Sequence, residues 1–190
     1  NYQQMVEEVA KSFPPDIFHR AVNYLFTKET RSSYQIEHEK PPPERVIRFV
    51  RLLEKVTEQP TLTLLSESHL TRLQNEIVDP RYAATGFRNF QNYIGQTSFN
   101  YKQIIHYVCP PPEMVSSLMN GLGYAPMRTE RVNAIVRAAV TAFGFVFIHP
   151  FEDGNGRVGR AIIDLVLAQD NAQSTRLIGI SRRLAQVRDD

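Results

Sequence analysis

The chain has 190 residues, 42% of them hydrophobic and 22% charged, with a formal net charge of +2. A chain of that length buries roughly 70% of its unfolded surface without staples. Its weak, scattered positive charge excludes a basic nucleic-acid face, and no apolar run reaches the ~18 residues of a membrane span. The single cysteine, Cys109, excludes an internal disulfide and fits a reducing, cytoplasmic setting. Val108 and Pro110-Pro111-Pro112 around it supply no base, so it reads as a structural thiol. No signal peptide is visible. The chain opens at Asn1 without Met and stops at Asp190 after a charged helical stretch, so both ends read as cut.

Residues 15–29 place Ile17, Phe18, Ala21, Val22, Leu25 and Phe26 at helical spacing behind Pro14-Pro15, a favourable helix start. A short polar segment, Glu29 to Lys40, leads to the break at Pro41-Pro42-Pro43. The next helix, 44–58, turns Val46, Ile47, Val50, Leu53 and Val56 inward. A third, about Ser66 to Val78, shows Leu70, Leu73 and Ile77 on one face. Residues 79–110 lose the helical period. Within them, Asn92 to Gly95 and Ile104 to Val108 predict a β-hairpin, and Pro110-Pro111-Pro112 starts a helix through about Leu122. Residues 129–147 form a strongly apolar helix with Val132, Ile135, Val136, Ala139, Val140 and Phe143 on one side, expected to be the buried centre. A helix over about 155–168 and an incomplete one over 176–188 finish the chain. The reading is all-α with one small β-hairpin, without repeats or low-complexity tracts.

The most informative run is His149-Pro150-Phe151-Glu152-Asp153-Gly154-Asn155-Gly156-Arg157-Val158-Gly159-Arg160. Gly154 and Gly156 allow a tight turn and a close backbone approach. The helix that follows presents unpartnered N–H groups and its positive dipole end, an anion site suited to phosphate. Arg157 and Arg160, three apart on that helix, suit a polyphosphate; each charge-assisted bond contributes about 1.5–3 kcal/mol. Asp153 is a single carboxylate beside the phosphates, the usual protein ligand of Mg²⁺, whereas Glu152 points away. His149 is placed to take a proton from a hydroxyl near neutral pH. Base, acid, anion nest and arginines together describe transfer of a phosphate-containing group to an incoming hydroxyl.

At every fixed position, His149 to Arg160 resembles the Fic domain motif, His-Pro-Phe-x-(Asp/Glu)-Gly-Asn-Gly-Arg-x-x-Arg. Gly86-Phe87-Arg88 through Gly95, Tyr107 to Glu113 and Leu118-Met119 are similar to the Fic flap region. The resemblance implies a Fic-fold helical bundle over about 60–190, cut short at its C-terminus, behind an N-terminal helical region, 1–59. It implies a protein adenylyltransferase that moves AMP from ATP, with Mg²⁺, to a Ser, Thr or Tyr hydroxyl of a target protein. On that mapping His149 is the general base, Asp153 holds the metal, and Gly154, Asn155 and Gly156 cradle the phosphates with Gly159 beside them. Asn155 helps hold the α-phosphate, Arg157 the β-phosphate and Arg160 the γ-phosphate. The flap, with Ile94, Gly95 and Tyr107, would register the target by strand addition, although such side chains equally suit hairpin packing. The resemblance allows a homodimer and implies neither a nucleic-acid nor a membrane partner.

Ser33 and Glu37 also resemble the Fic inhibitory motif, (Ser/Thr)-x-x-x-Glu-(Gly/Asn), in a segment of about 30–38; His38 departs from its last position. Lying before the core, the segment matches the class II arrangement with an N-terminal inhibitory helix. The resemblance implies that Glu37 pairs with Arg160 and displaces the γ-phosphate. In some relatives this glutamate also serves AMP removal, which stays open here. Two alternatives remain beside AMP transfer: a Fic enzyme with another nucleotide donor, and a catalytically silent nucleotide-binding interaction module.

Overall fold

Pro15, Pro43 and Pro112 each open a helix, where a missing N–H is no loss and φ is already helical. In the computed structural model, which describes residues 8, 12–58, 65–125, 131–169 and 179–188, these helices are α1 (Pro15–Ile36), α2 (Pro43–Glu58) and α4 (Pro112–Gly123). The others are α3 (Glu67–Ile77), α5 (Ala134–Ile148), α6 (Asn155–Gln169) and α7 (Ile180–Arg188). Strands β1 (Tyr93–Thr97) and β2 (Gln103–Val108) pair antiparallel, Ile94 opposite Tyr107 and Gly95 opposite Ile105, with a register irregularity between Ile94 and Gly95. The all-α reading with one hairpin holds. Residues 129–130 and 176–178 of the predicted helices, and the side chain of Val56, lie outside the described residues.

Two expectations are corrected. The helix read over residues 15–29 is longer than expected: α1 runs without a break to Ile36, through the polar segment from Glu29. Its inward face there is Glu29, Thr30, Ser33 and Tyr34, all buried, so polar residues with tertiary partners replace the apolar stripe that periodicity detects. The second correction is the orientation of α5. Val132, Ile135, Val136, Val140 and Phe143 are exposed, Phe143 by 71%, while Ala138, Thr141, Ala142, Phe145 and Ile148 are buried. Small residues win the inward side because α6 comes very close: a Cβ on Gly159 would stand 2.6 Å from Val146 Cγ2. In α2, Leu53 faces inward as expected, joined by Arg45 and Phe49, whereas Ile47 is half-exposed.

One cluster of buried side chains joins α1 and α2 (Val22, Phe26, Tyr34, Phe49, Leu53) to α3, α4, α5 and α6. Tyr34 is fully buried; its hydroxyl donates to the Ile77 carbonyl at 2.6 Å and its ring meets Phe49 edge-on. Burial pushes its pKa up to about 12. Glu29 accepts the Ser181 N–H at 2.5 Å and the Arg182 N–H at 3.2 Å, so α1 caps the first turn of α7 with a carboxylate.

Asp164 on α6 is buried; burial, reinforced by Glu29, holds its carboxyl well above the usual range. A raised folded pKa adds stability below the unfolded pKa and loses it as pH rises through the folded one. Asp164→Asn removes this loss. The melting-temperature difference between variant and wild type should therefore grow in the variant's favour from about pH 4 upward, read by thermal denaturation across pH 4–8.

Candidate active site

Ile148 is the last residue of α5, and His149 leaves it in the left-handed region, φ 55 and ψ 59. That conformation costs a non-glycine residue about 1–2 kcal/mol, here offset by the bonds around it. The His149 N–H donates to Phe145 O at 2.9 Å. Nδ1 lies 3.3 Å from the Val146 carbonyl; a carbonyl only accepts, so Nδ1 carries the proton and Nε2 is left with a free lone pair. Burial lowers the His149 pKa, with Arg88 lowering it further against opposing contributions from the Val146 carbonyl, Glu37 and Asp153. The imidazole is therefore neutral and basic at pH 7.

Arg88 was not singled out in sequence as a site residue, yet it fixes this loop. Its backbone N–H donates to Pro150 O at 2.8 Å. Its buried guanidinium donates to the carbonyls of His149 (2.8 Å), Ile148 (3.3 Å), Phe90 (2.8 Å) and Pro110 (2.7 Å). One side chain thus ties the base loop to both feet of the hairpin. A neutral chain cannot satisfy four carbonyls. Arg88→Met should destabilise by at least about 3 kcal/mol in urea denaturation and reduce any activity that depends on His149. Gln74 plays a similar part from α3, donating to Asp153 O at 3.1 Å and Tyr82 O at 2.8 Å.

Pro150 to Gly154 return the chain to α6. Phe151 is buried between the Phe87 and Phe145 rings. Asn155 is buried and its amide closes on Phe151, accepting its N–H at 3.0 Å and donating to its carbonyl at 2.8 Å. Its side chain therefore shapes the loop. Gly154 has φ 87, a backbone that favours glycine. The first N–H groups of α6 have no partner within the helix and point out of its start. Gly159 lies against α5 rather than on the phosphate side.

Both motif arginines are engaged from the N-terminal segment. Arg160 donates through Nε to Ser33 Oγ at 2.8 Å, and through Nη2 to Ser33 O at 2.9 Å and Glu37 Oε1 at 2.7 Å. Burial pulls the Arg160 pKa down and Glu37 pushes it back up. A Cβ on Gly156 would collide with Glu37 Oε1, so that glycine lets the carboxylate settle on the helix start. Arg157, 3% exposed, donates Nη2 to both oxygens of Asp153 at 2.8 Å and Nη1 to Glu39. Glu39 also receives Arg45, which is bonded to Asp79 at 2.9 Å.

His38 keeps the backbone conformation that the motif's Gly or Asn would supply. It is left-handed, φ 55. Its N–H reaches Gln35 O at 3.0 Å and the Glu39 N–H reaches Tyr34 O at 3.0 Å, a Schellman end in which glycine or asparagine is favoured.

Asp153 is half-buried in the loop before α6. No group of three His, Cys, Asp or Glu side chains able to hold a metal exists among the described residues. A single carboxylate such as Asp153, here held by Arg157, would suit Mg²⁺, which takes few protein ligands. In the flap, Ile94 is 39% exposed and β1 is exposed throughout. Tyr107 is fastened down, its hydroxyl 2.7 Å from Phe147 O and its ring on Phe147. Cys109 is buried and its pKa raised by burial, as a structural thiol requires. No described helix is long and apolar enough to cross a membrane.

Fold and loop define a helical protein whose left-handed histidine stands beside a glycine-turned, arginine-lined helix start. Two solved structures share the fold. A Fic family protein from Desulfovibrio desulfuricans G20 superimposes with TM-score 0.65 at 19% identity, over 93% of this chain and 56% of that one. A Fic domain containing signaling protein from Bacteroides thetaiotaomicron VPI-5482 gives 0.66 at 15%, over 97% and 90%. The Fic/DOC family model matches residues 64–167, more than half of the chain, and the chain belongs to the Fic/DOC family. A relative from Aquifex aeolicus (strain VF5) named probable protein adenylyltransferase is 31% identical over 61 residues, 32% of this chain and 19% of its own length. A Fido domain-containing protein of Dictyostelium discoideum is 43% identical over 61 residues, 30% of this chain and 41% of its own. The matched stretch is thus under half the length of either relative.

Proposed function

We propose that the chain is a protein adenylyltransferase held in check by its own N-terminal helix. The observation that supports this most is the Arg160 guanidinium, shared by Ser33 and Glu37 at the start of the anion-binding helix. In the reaction, the target hydroxyl oxygen attacks the α-phosphorus of ATP. The new oxygen–phosphorus bond forms as the bond to pyrophosphate breaks, and the hydroxyl proton passes to His149 Nε2. The N–H groups at the start of α6 and the two arginines hold the triphosphate, a task of positioning and electrostatics. Mg²⁺, held by Asp153, would neutralise charge on the phosphates. The exposed β1 edge of the flap offers backbone groups to an extended target segment.

Glu37 occupies the γ-phosphate's place on Arg160, so ATP seats with its α-phosphate out of line. Incubation with α-labelled ATP and Mg²⁺, comparing wild type, Glu37→Gly and His149→Ala, tests the reading. Label should enter protein most strongly in Glu37→Gly. Nucleotide binding without label in that variant would leave only a silent binding module. Greater thermal stabilisation by GTP, CTP or UTP than by ATP would change the donor.

A further inference from the structure

The elbow after α1 carries a second carboxylate aimed at the motif helix. Glu37 and Glu39 are separated only by His38, whose left-handed backbone reverses the chain. Both acids consequently face α6, Glu37 on Arg160 and Glu39 on Arg157. Glu39 is not a surface acid that drifts there: its other oxygen is bound by Arg45, a buried residue itself tied to Asp79 at 2.9 Å. The Tyr34 ring, 5.6 Å from the Arg157 guanidinium, closes another side of that arginine.

We propose that Glu39 is a second restraining residue, holding Arg157 where the β-phosphate would sit, so that one three-residue elbow, Glu37 to Glu39, occupies both arginines of the phosphate site. This rests on the reading of α6 as the nucleotide's phosphate cradle. Arg157 faces two carboxylates, Glu39 and Asp153. When Asp153 turns to a metal ion, Glu39 remains, and a phosphate oxygen has to share or take its place on the guanidinium. A polyphosphate carries more charge than the Asp153 carboxylate it would replace, so beside Glu39 on one buried cation it is held less well than it would be alone where water is scarce. The covalent link through His38 makes the two restraints move together: a displacement of the α1 end that frees Arg160 frees Arg157 as well.

The two carboxylates are distinguishable by the length of the phosphate chain. ADP ends at the β-phosphate and needs Arg157; ATP reaches Arg160 also. Calorimetric titration of ADP and of ATP into the whole chain, as wild type, Glu37→Gly, Glu39→Gln and the double variant, separates them. Glu39→Gln should tighten ADP and ATP alike by about tenfold, the size of one charge-assisted bond. Glu37→Gly should tighten ATP and leave ADP within about twofold. Glu39→Asp, which keeps a charge beside Arg45 while drawing it back from Arg157, should show the same ADP gain in smaller size and guards against misfolding of Glu39→Gln. A residue that merely braced Arg157 would, when changed, weaken both nucleotides. ADP affinity unchanged or reduced in both Glu39 variants, with ATP tightened by Glu37→Gly, overturns the inference and leaves the proposed function standing. No binding of either nucleotide by any variant overturns both.

Discussion

Glu37→Gly should raise AMP transfer by about 10²-fold over wild type, because a reactant displaced by about 1 Å from its attack geometry loses roughly that factor. The substitution removes the carboxylate at 2.7 Å from Arg160 Nη2 but leaves Ser33, which binds the same guanidinium at Nε and through its carbonyl. Arg160 thus stays oriented toward the helix start while its charge becomes available to a phosphate. Glycine also suits the end of α1, whose next residue is already left-handed, so the fold should survive. Label incorporation from α-labelled ATP, measured as an initial rate, checks the size. A rate equal to wild type, with ATP bound, would remove Glu37 from the account of inhibition.

In that derepressed background His149→Ala should lower the rate by about 10²–10⁴-fold, the usual contribution of a positioned base, with nucleotide affinity nearly unchanged. The pH profile provides a second reading. Burial lowers the His149 pKa from 6.5, so the imidazole loses its proton below that value and is active as a base above it. The kcat/KM of Glu37→Gly, which reports the free enzyme, should therefore be level at neutral pH and fall only on the acid side of 6.5. Its acid limb should be absent from the residual rate of the alanine variant. A limb centred well above 6.5 would point to a different base.

The loop from His149 to Arg160 was legible in sequence because its determinants are local. A left-handed glycine, unpaired N–H groups at a helix start and two arginines three residues apart act within a single turn, so His149, Asp153, Gly154, Gly156, Arg157 and Arg160 were readable from spacing alone. Ser33 and Glu37 were reachable through their own short pattern. Arg88, Gln74 and Glu39 left no such signal. Each works on backbone or side chains tens of residues away, Arg88 on His149 and Glu39 on Arg157, and nothing in their neighbourhood marks them. A buried arginine with four carbonyl acceptors looks, in sequence, like any arginine beside a turn.

Helix faces went the same way. The apolar stripe of α5 was correctly read as apolar and wrongly placed, because periodicity reports which residues share a side and not which side the neighbour takes. Close approach to Gly159 gave that side to Ala138 and Ala142. In α1 the inward face is Glu29, Thr30, Ser33 and Tyr34, which only tertiary partners make habitable for polar groups. By itself, then, the sequence determined the tight turn and helix start between His149 and Arg160 and the all-α class with one hairpin, since both follow from short-range backbone geometry. Tertiary structure alone decided that Arg157 is occupied as well as Arg160, by Glu39 from an elbow more than a hundred residues earlier. Opposite charges select each other through space once the helices have packed, and local order along the chain places no constraint on that choice.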